Sequence, residues 1–213
     1  MKTIKIQIYS FDELPEEAKQ TAIENQQEAN QEHTWFMEEA GETLKRFCKI
    51  FDIDYSNIDF LETGRNQYKL NHSEEVRELT GVRLLKFIWN NYKKDIYKGK
   101  YYSLWSKTEL SYKHHENGFP VLKHRYSKIM IEADNCPLTG VCYDFSILDP
   151  MLKFLAQPTT SMNFEELLDE CIGSLCEAVQ REFEYNTSEE GAREFLNGQD
   201  YEFTADGKIY KFI

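Results

Sequence analysis

The residues best suited to chemistry are grouped between His114 and Cys142. In an alternating strand His114 and Glu116 share one face, and a turn at Asn117-Gly118 would bring His124 opposite them. Two imidazoles and one carboxylate form a common ligand set for a divalent metal. Cys142 with His124 would supply a thiol nucleophile and its base. These pairings define one hypothesis, a small metal- or thiol-dependent enzyme, although histidines in a polar strand explain the same spacing without chemistry.

Other sequence features argue against catalysis. The chain has no glycine-rich dinucleotide or phosphate loop, no Gly-x-Ser-x-Gly and no His-Glu-x-x-His. Two cysteine pairs have gaps of five and four residues, which do not match the two-residue gaps of zinc knuckles. We therefore expect a non-enzymatic protein without catalytic residues, metal or other cofactor, whose thiols are free and pack as small apolar side chains. The cysteines are Cys48, Cys136, Cys142, Cys171 and Cys176.

The distribution of charge is the most informative property of the sequence. The 213 residues include 37 acidic and 25 basic side chains, for a net charge of −12. Residues 12–62 sum to −10 and residues 163–206 to −11, whereas residues 63–162 sum to +5. Two acidic segments therefore flank a basic, tyrosine-rich middle. The low glycine and proline content and the many aromatic residues exclude collagen-like and wholly disordered chains.

Both acidic segments are predicted to form amphipathic helices. Between residues 12 and 48, apolar residues recur on one helical face and glutamates occupy the opposite face. A break at Gly41 would divide this segment, so one long helix and two consecutive helices both remain open. A second helix, capped by Asn163 or Ser161, repeats the pattern. The side chains that we expect to contact a partner are Glu13, Glu17, Glu24, Glu28, Glu32 and Glu39, with Glu166, Asp169 and Glu170 on the second helix.

The basic middle supports a second hypothesis, contact with nucleic acid. A helix introduced by Ser73 is predicted, and cations are interleaved with aromatic rings from residue 83 to residue 107. The cations would meet phosphates while the rings stack on bases. The same spacing is also typical of aromatic residues that pack in the core while lysines on the opposite face of the element are solvated. The candidate nucleic-acid contacts are Lys93, Lys94, Lys98, Lys100, Tyr101 and Trp105.

The remaining segments are predicted to form strands. Residues 1–9 alternate as a strand, and residues 50–55 and 57–61 flank a Ser-Asn turn. Residues 101–135 indicate an antiparallel meander, and residues 201–212 indicate a carboxy-terminal β-hairpin with Asp-Gly at its turn. The predicted fold is therefore α+β, with two or three amphipathic helices packed on a mostly antiparallel sheet.

Length and apolar content fit one compact domain. At roughly 150 residues per domain, the length fits one domain or a fused pair. Because no linker or internal repeat is apparent, a single α+β domain over residues 1–213 is favoured. The amino terminus lacks the hydrophobic run of a signal peptide. Apolar runs are also too short to span a bilayer, so a cytoplasmic location is favoured.

Three segments near the chain ends form motifs. They are residues 8–22 (IYSFDELPEEAKQTA), residues 182–190 (EFEYNTSEE) and residues 200–208 (DYEFTADGK). Together they resemble a family of small acidic proteins carried by bacteriophages and prophages. Members often contain a central Trp-Ser-Gln-Gly-Asp-Gly segment, from which residues 105–109 (WSKTE) depart. The resemblance implies a phage accessory protein in the infected bacterial cytoplasm, a setting in which inhibitors of host defence, such as anti-CRISPR and anti-restriction proteins, are common.

The leading hypothesis is a phage-encoded, non-enzymatic inhibitor that binds a nucleic-acid-dependent host defence complex through acidic helix faces. Its partner would be a protein complex; nucleic acid is the alternative partner, and no membrane is expected. A helix from Glu13 to Glu42 would span ~44 Å, and its nine carboxylates are about a third of the phosphates that duplex DNA presents over that length. Such a face would speed encounter with a basic groove without imitating a duplex. The oligomeric state is left open.

Overall fold

The computed structural model describes residues 6–32, 35–61, 67–96, 112–114, 120–122 and 137–210. The chain divides into two compact units. Unit 1 comprises Met1–Glu38 and Glu177–Ile213, and unit 2 comprises Glu39–Cys176. This division does not by itself define independently folding domains, so the single domain stays a prediction.

Helices predominate in the described residues, beside small antiparallel sheets. This agrees with the α+β class in its coarse form, but the predicted packing of two or three helices on a sheet is not confirmed. The helices are α1 (Glu16–Glu32), α2 (Trp35–Ile50), α3 (Glu74–Arg77), α4 (Gly81–Ile96), α5 (Tyr143–Ala156), α6 (Phe164–Thr187) and α7 (Glu189–Gly198). The strands β1 (Ile53–Asn57) and β2 (Gln67–Leu70) pair antiparallel, as do β3 (Tyr112–His114) and β4 (Pro120–Leu122).

The first acidic segment forms two helices, and the boundary is not at Gly41. Helix α2 continues through Gly41, because a glycine in a helix interior costs only about 1 kcal/mol and the apolar spacing on both sides is strong. The predicted core face is largely correct: Ala18, Phe36 and Leu44 are all buried.

Unit 1 is built from both ends of the chain. Phe11, Leu14 and Ile23 pack in one cluster with Leu196 and Phe203. Residues 1–5 of the predicted first strand lie outside the described residues. The described part of that segment makes one isolated antiparallel bridge, between Tyr9 and Phe203.

The carboxy-terminal segment turns back on itself without forming strands. Phe203 and Ile209 make an isolated antiparallel bridge, and the Gly207 amide donates to the Thr204 carbonyl at 2.9 Å. The predicted β-hairpin is therefore not confirmed, and residues 211–213 lie outside the described part of the chain.

Unit 2 packs around aromatic side chains. Phe51 and Phe164 are fully buried, with their ring centroids 6.3 Å apart, and both contact Tyr92. Phe87 packs on Tyr92 and Phe164. We call Phe51, Phe87, Tyr92 and Phe164 the aromatic cluster.

Helix α5 was not predicted from the sequence, and it contains Pro150 in its interior. A proline there removes the amide that would bond the carbonyl four residues earlier. That carbonyl belongs to Ser146, and it instead accepts a hydrogen bond from Ser174 Oγ at 2.8 Å. A side chain from α6 therefore replaces the missing backbone bond.

Two further local predictions are corrected. Strand β1 continues through Ser56 and Asn57 and pairs with β2, so the predicted Ser-Asn turn is wrong. The helix predicted from Ser73 is divided into α3 and α4. Its second part begins at Gly81, whose φ is +53° and whose amide donates to the Thr159 carbonyl at 2.8 Å.

Only two short strands of the predicted 101–135 meander are described. β3 and β4 are antiparallel, with Tyr112 opposite Leu122. The Asn117-Gly118 turn between them, like the rest of the meander, lies outside the described residues.

Candidate acidic interface

The outward face of α1 is a row of carboxylates. Glu17, Glu24, Glu28 and Glu32 recur at intervals of seven and four residues, so they fall on one side of the helix. All four are exposed, whereas Ala18 and Ile23 on other faces are buried. We call these four glutamates the α1 stripe. At ~1.5 Å per residue the stripe extends over ~22 Å.

The α1 stripe is not neutralised within the described part of the chain. No described basic side chain lies within salt-bridge distance of its members. Glu24 accepts one hydrogen bond, from Gln20 Nε2 at 3.2 Å. The stripe is therefore a set of solvated anions available to a cationic partner.

Unit 1 gathers most of the excess negative charge of the protein. Its 75 residues include 17 acidic and 7 basic side chains, for a net charge of −10. Unit 2 has 20 acidic and 18 basic side chains, for a net charge of −2. Large parts of the two acidic segments, far apart in sequence, therefore fold into the same strongly anionic unit.

Helix α7 adds carboxylates that were not among the predicted site residues. It packs against α1, and Gln27 Nε2 on α1 donates to the Thr187 carbonyl just before α7 at 2.8 Å. The exposed acids of α7 are Glu189, Glu190 and Glu194. Arg193 pairs with Glu189 at 3.2 Å, and Glu194 accepts from the Tyr185 hydroxyl. The sequence signal for them was the acidic run itself, and only the contact between α1 and α7 places them beside the first helix.

Two other predicted residues of the first acidic segment have different surroundings. Glu13 lies in a 3-10 turn (Phe11–Glu13) that precedes α1, and its Oε2 accepts from the Ser10 amide at 3.0 Å. That backbone hydrogen bond lowers the pKa of Glu13, and a hydrogen bond from the Ser10 side chain lowers it further. Glu13 therefore stabilises the turn as well as adding charge. Glu39 is half-buried on α2 and belongs to unit 2.

The three predicted residues of α6 also lie in unit 2, and two have local structural roles. Glu166 and Asn163 form a reciprocal cap, in which each amide donates to the other side chain at 2.8 and 2.9 Å. Asp169 accepts a hydrogen bond from the Tyr68 hydroxyl, and burial raises the pKa of Asp169. Glu170 is exposed. Among the nine predicted acids, the four of the α1 stripe therefore form the clearest row of exposed carboxylates.

The predicted nucleic-acid contacts are described only in part. Lys93 and Lys94 lie near the end of α4, and the Lys93 ammonium lies 4.1 Å from the centre of the Trp89 ring. Lys98, Lys100, Tyr101 and Trp105 lie outside the described residues.

The metal- or thiol-enzyme hypothesis falls largely on residues that the structure does not describe. Glu116 and His124 lie outside the described residues, and only the backbone of His114 is described. Within the described ranges, no group of His, Cys, Asp and Glu side chains is arranged to hold a metal ion. Cys142 is an exposed free thiol.

The other described cysteines behave as predicted. Cys48, Cys171 and Cys176 are buried thiols. Burial raises the pKa of the Cys48 thiol to about 12 and also raises the pKa of Cys171. Because the thiolate is the nucleophilic form, both thiols are unreactive near neutral pH.

His72 is a titratable group that the sequence analysis did not single out. Its Nε2 lies 3.0 Å from the Tyr92 hydroxyl, and its ring packs edge-on against Phe164 at 5.2 Å. Its Nδ1 is buried, and no atom in the described residues bonds to it. Burial lowers the pKa of His72, an effect that the charge of Asp52 partly opposes.

We expect the stability of the protein to fall in mild acid because of His72. A histidine whose folded-state pKa is lowered stabilises the fold above its ordinary pKa of about 6.5, and this contribution is lost as the pH falls through the folded-state value. Replacing His72 with phenylalanine should flatten the loss of unfolding free energy between about pH 7 and pH 5 in urea titrations. Tyr92→Phe, which keeps the imidazole, should retain the slope. An unchanged slope in His72→Phe would refute the assignment.

The three motif segments near the chain ends have visible structural roles in unit 1. Phe11 and Phe203 pack in its core, with their ring centroids 5.9 Å apart. Ser188 caps α7 by accepting from the Gly191 amide at 3.0 Å. Gly207 has a φ of +81° and lies against the α1 backbone. All three motif segments therefore contribute to the packing of the same compact unit.

Comparison of the chain with protein-family models, curated proteins and solved structures found no match.

We also note that no helix in the described residues is both long and apolar enough to cross a membrane.

Proposed function

We propose that this chain is a phage-encoded, non-enzymatic protein that inhibits a nucleic-acid-dependent host defence complex by binding it in the host cytoplasm. The observation that supports the proposal is the net charge of −10 on unit 1, with the α1 stripe exposed on its surface. The phage setting rests on the resemblance of the three motif segments.

The chemistry of the surface fits a basic partner. A groove that binds nucleic acid presents lysine and arginine side chains, and complementary carboxylates would speed encounter with it. Glutamates on a rigid helix would then compete with phosphates for those cations. Because like charges repel, the same surface disfavours binding of nucleic acid to unit 1 itself.

The charge density argues for competition rather than close imitation of a duplex. Helix α1 has 17 residues and five acidic side chains. It extends over ~26 Å, a length in which duplex DNA presents about 15 phosphates. One helix therefore offers about a third of the charge, so the neighbouring α7 acids are expected to add to the contact.

The proposal is tested by phage plating on hosts that carry defined CRISPR or restriction systems. Expression of the wild-type chain should restore plaque formation by at least about tenfold against one system of the panel. The triple variant Glu24→Lys, Glu28→Lys and Glu32→Lys should lose at least about tenfold of that restoration, since close charge pairs across an interface couple by about 1.5 kcal/mol or more.

The matched control reverses three exposed acids of unit 2, Glu74, Glu75 and Glu78, to lysine. It makes the same change in net charge and should keep most of the restoration. Equal losses in both variants would show that net charge, and not the α1 stripe, matters. No loss in the α1 variant would remove the stripe as the contact surface, and no restoration by the wild type against any system would refute the proposed function.

A further inference from the structure

Helix α4 has a cationic outer face that opposes the overall charge of the protein. Arg83, Lys86, Lys93 and Lys94 fall within about 100° of arc when each residue is rotated by about 100°. The apolar residues Leu84 and Ile88 are fully buried on the opposite side. We call these four cations the α4 cationic face.

Within the described part of the chain, the four cations are not neutralised by carboxylates. None has a described carboxylate within salt-bridge distance, and Arg83, Lys86 and Lys94 are exposed. The only acid on α4, Asp95, lies on the side of the buried residues, about 100° or more from each of them.

Exposed apolar groups border the α4 cationic face. Val82 is 60 % exposed and Trp89 is 39 % exposed, and both lie next to Lys93 around the helix. Lys93 lies over the Trp89 ring. A partly exposed indole beside cations is the combination that stacks on a base while the cations meet phosphates.

We infer that the outer face of α4 binds the phosphate backbone of a nucleic-acid strand. This inference is independent of the proposed function, because it concerns unit 2 and a partner of opposite charge. Charge complementarity favours a polyanion, and the exposed indole favours nucleic acid over an acidic protein surface. From Arg83 to Lys94 the face extends over ~16 Å, enough to contact a few successive phosphates.

The affinity is expected to be modest and strongly dependent on salt. Four cations contribute a slope of log affinity against log salt of about −2.8 for a single strand. Because the whole chain has a net charge of −12, binding should lie in the range of non-specific association, with dissociation constants on the order of 10⁻⁴ to 10⁻⁶ M.

The test is fluorescence anisotropy of the full chain with a labelled mixed-sequence single-stranded DNA of about 20 nucleotides, long enough to exceed the ~16 Å face. The double variant Lys86→Gln and Lys94→Gln should weaken binding about tenfold and reduce the salt slope by about 1.4. Trp89→Ala should weaken single-strand binding more than duplex binding, since stacking needs an unpaired base, and Trp89→Phe should restore part of the loss.

The matched control replaces two exposed lysines elsewhere in unit 2, Lys49 and Lys69, with glutamine. It makes the same change in net charge and should leave the affinity within about twofold and the salt slope within about 0.3. Circular dichroism of each variant would confirm that it is folded.

Three results would overturn the inference. One is the absence of wild-type binding at low salt. Another is an equal loss of binding in the Lys86/Lys94 and Lys49/Lys69 variants. The third is concentration-dependent self-association of the chain that only the Lys86/Lys94 variant abolishes, without DNA binding, which would assign the face to a second copy of the chain.

Discussion

Replacing Asp144 with alanine is expected to lower the free energy of unfolding by about 3–4 kcal/mol, because a hydrogen-bonded buried carboxylate leaves several donors unsatisfied when it is removed. Asp144 is fully buried on α5. Its Oδ2 accepts from the amides of Leu138, Thr139 and Gly140 at 2.7, 2.8 and 3.2 Å. Its Oδ1 accepts from the hydroxyls of Thr139 and Thr43 at 2.8 and 3.2 Å.

The control for this prediction is Asp149→Ala on the same helix. Asp149 is exposed and pairs with Lys153 at 2.6 Å, and exposed pairs one helical turn apart contribute only about 0.3–0.5 kcal/mol. Urea unfolding followed by circular dichroism compares the two variants. If Asp144→Ala cost no more than Asp149→Ala, the carboxylate would not be what fixes the 138–140 loop to α5 and α2.

Helices that are determined by apolar spacing alone were the most predictable part of the fold. Phe36 and Leu44 recur at helical intervals and are buried on α2, and Asn163, one of the two predicted caps, caps α6. Helix α5 could not be found in this way, because Pro150 is a local signal against a helix and Ser174, which compensates for it, lies 28 residues from Ser146 in sequence. A compensation of that kind is visible only in three dimensions.

Strand pairing was harder to predict for the same reason. A short run such as residues 53–57 reads equally well as a strand or as a strand and a turn, and its register depends on which segment pairs with it. The strand that pairs with it, β2, begins at Gln67, and the sequence pattern did not indicate a strand there. The long-range bond between Tyr68 and Asp169 likewise had no sequence signal.

The candidate site was predictable in its residues but not in its assembly. The α1 stripe follows from the spacing of Glu17, Glu24 and Glu28 on one helix. The union of two acidic segments in unit 1 follows instead from contacts such as that of Phe11 with Phe203, which no local pattern indicates. The proposed function therefore depends on a tertiary contact that brings the two acidic segments together. A substitution that disrupts this contact should weaken binding to the proposed defence complex without altering any carboxylate.

Gly207→Ala is the substitution with the largest expected effect on unit 1, a loss of about 2–4 kcal/mol in the free energy of unfolding from backbone strain and steric overlap. Gly207 has a φ of +81°, where a side chain is strained. A Cβ at this position would lie 2.1 Å from the Ala18 carbonyl oxygen of α1, which is a clash with a helix backbone. The helix would have to move away from the terminal segment.

Gly198→Ala provides the matched control, because a Cβ there would meet no atom within 4 Å. It lies at the end of α7, where alanine should be neutral or stabilising by up to about 1 kcal/mol. Urea unfolding measures both variants, and hydrogen exchange of α1 should show faster exchange in Gly207→Ala alone. If Gly207→Ala left stability, α1 exchange and restoration of plaque formation unchanged, then neither the contact of the terminal turn with α1 nor its role in presenting the α1 stripe would stand.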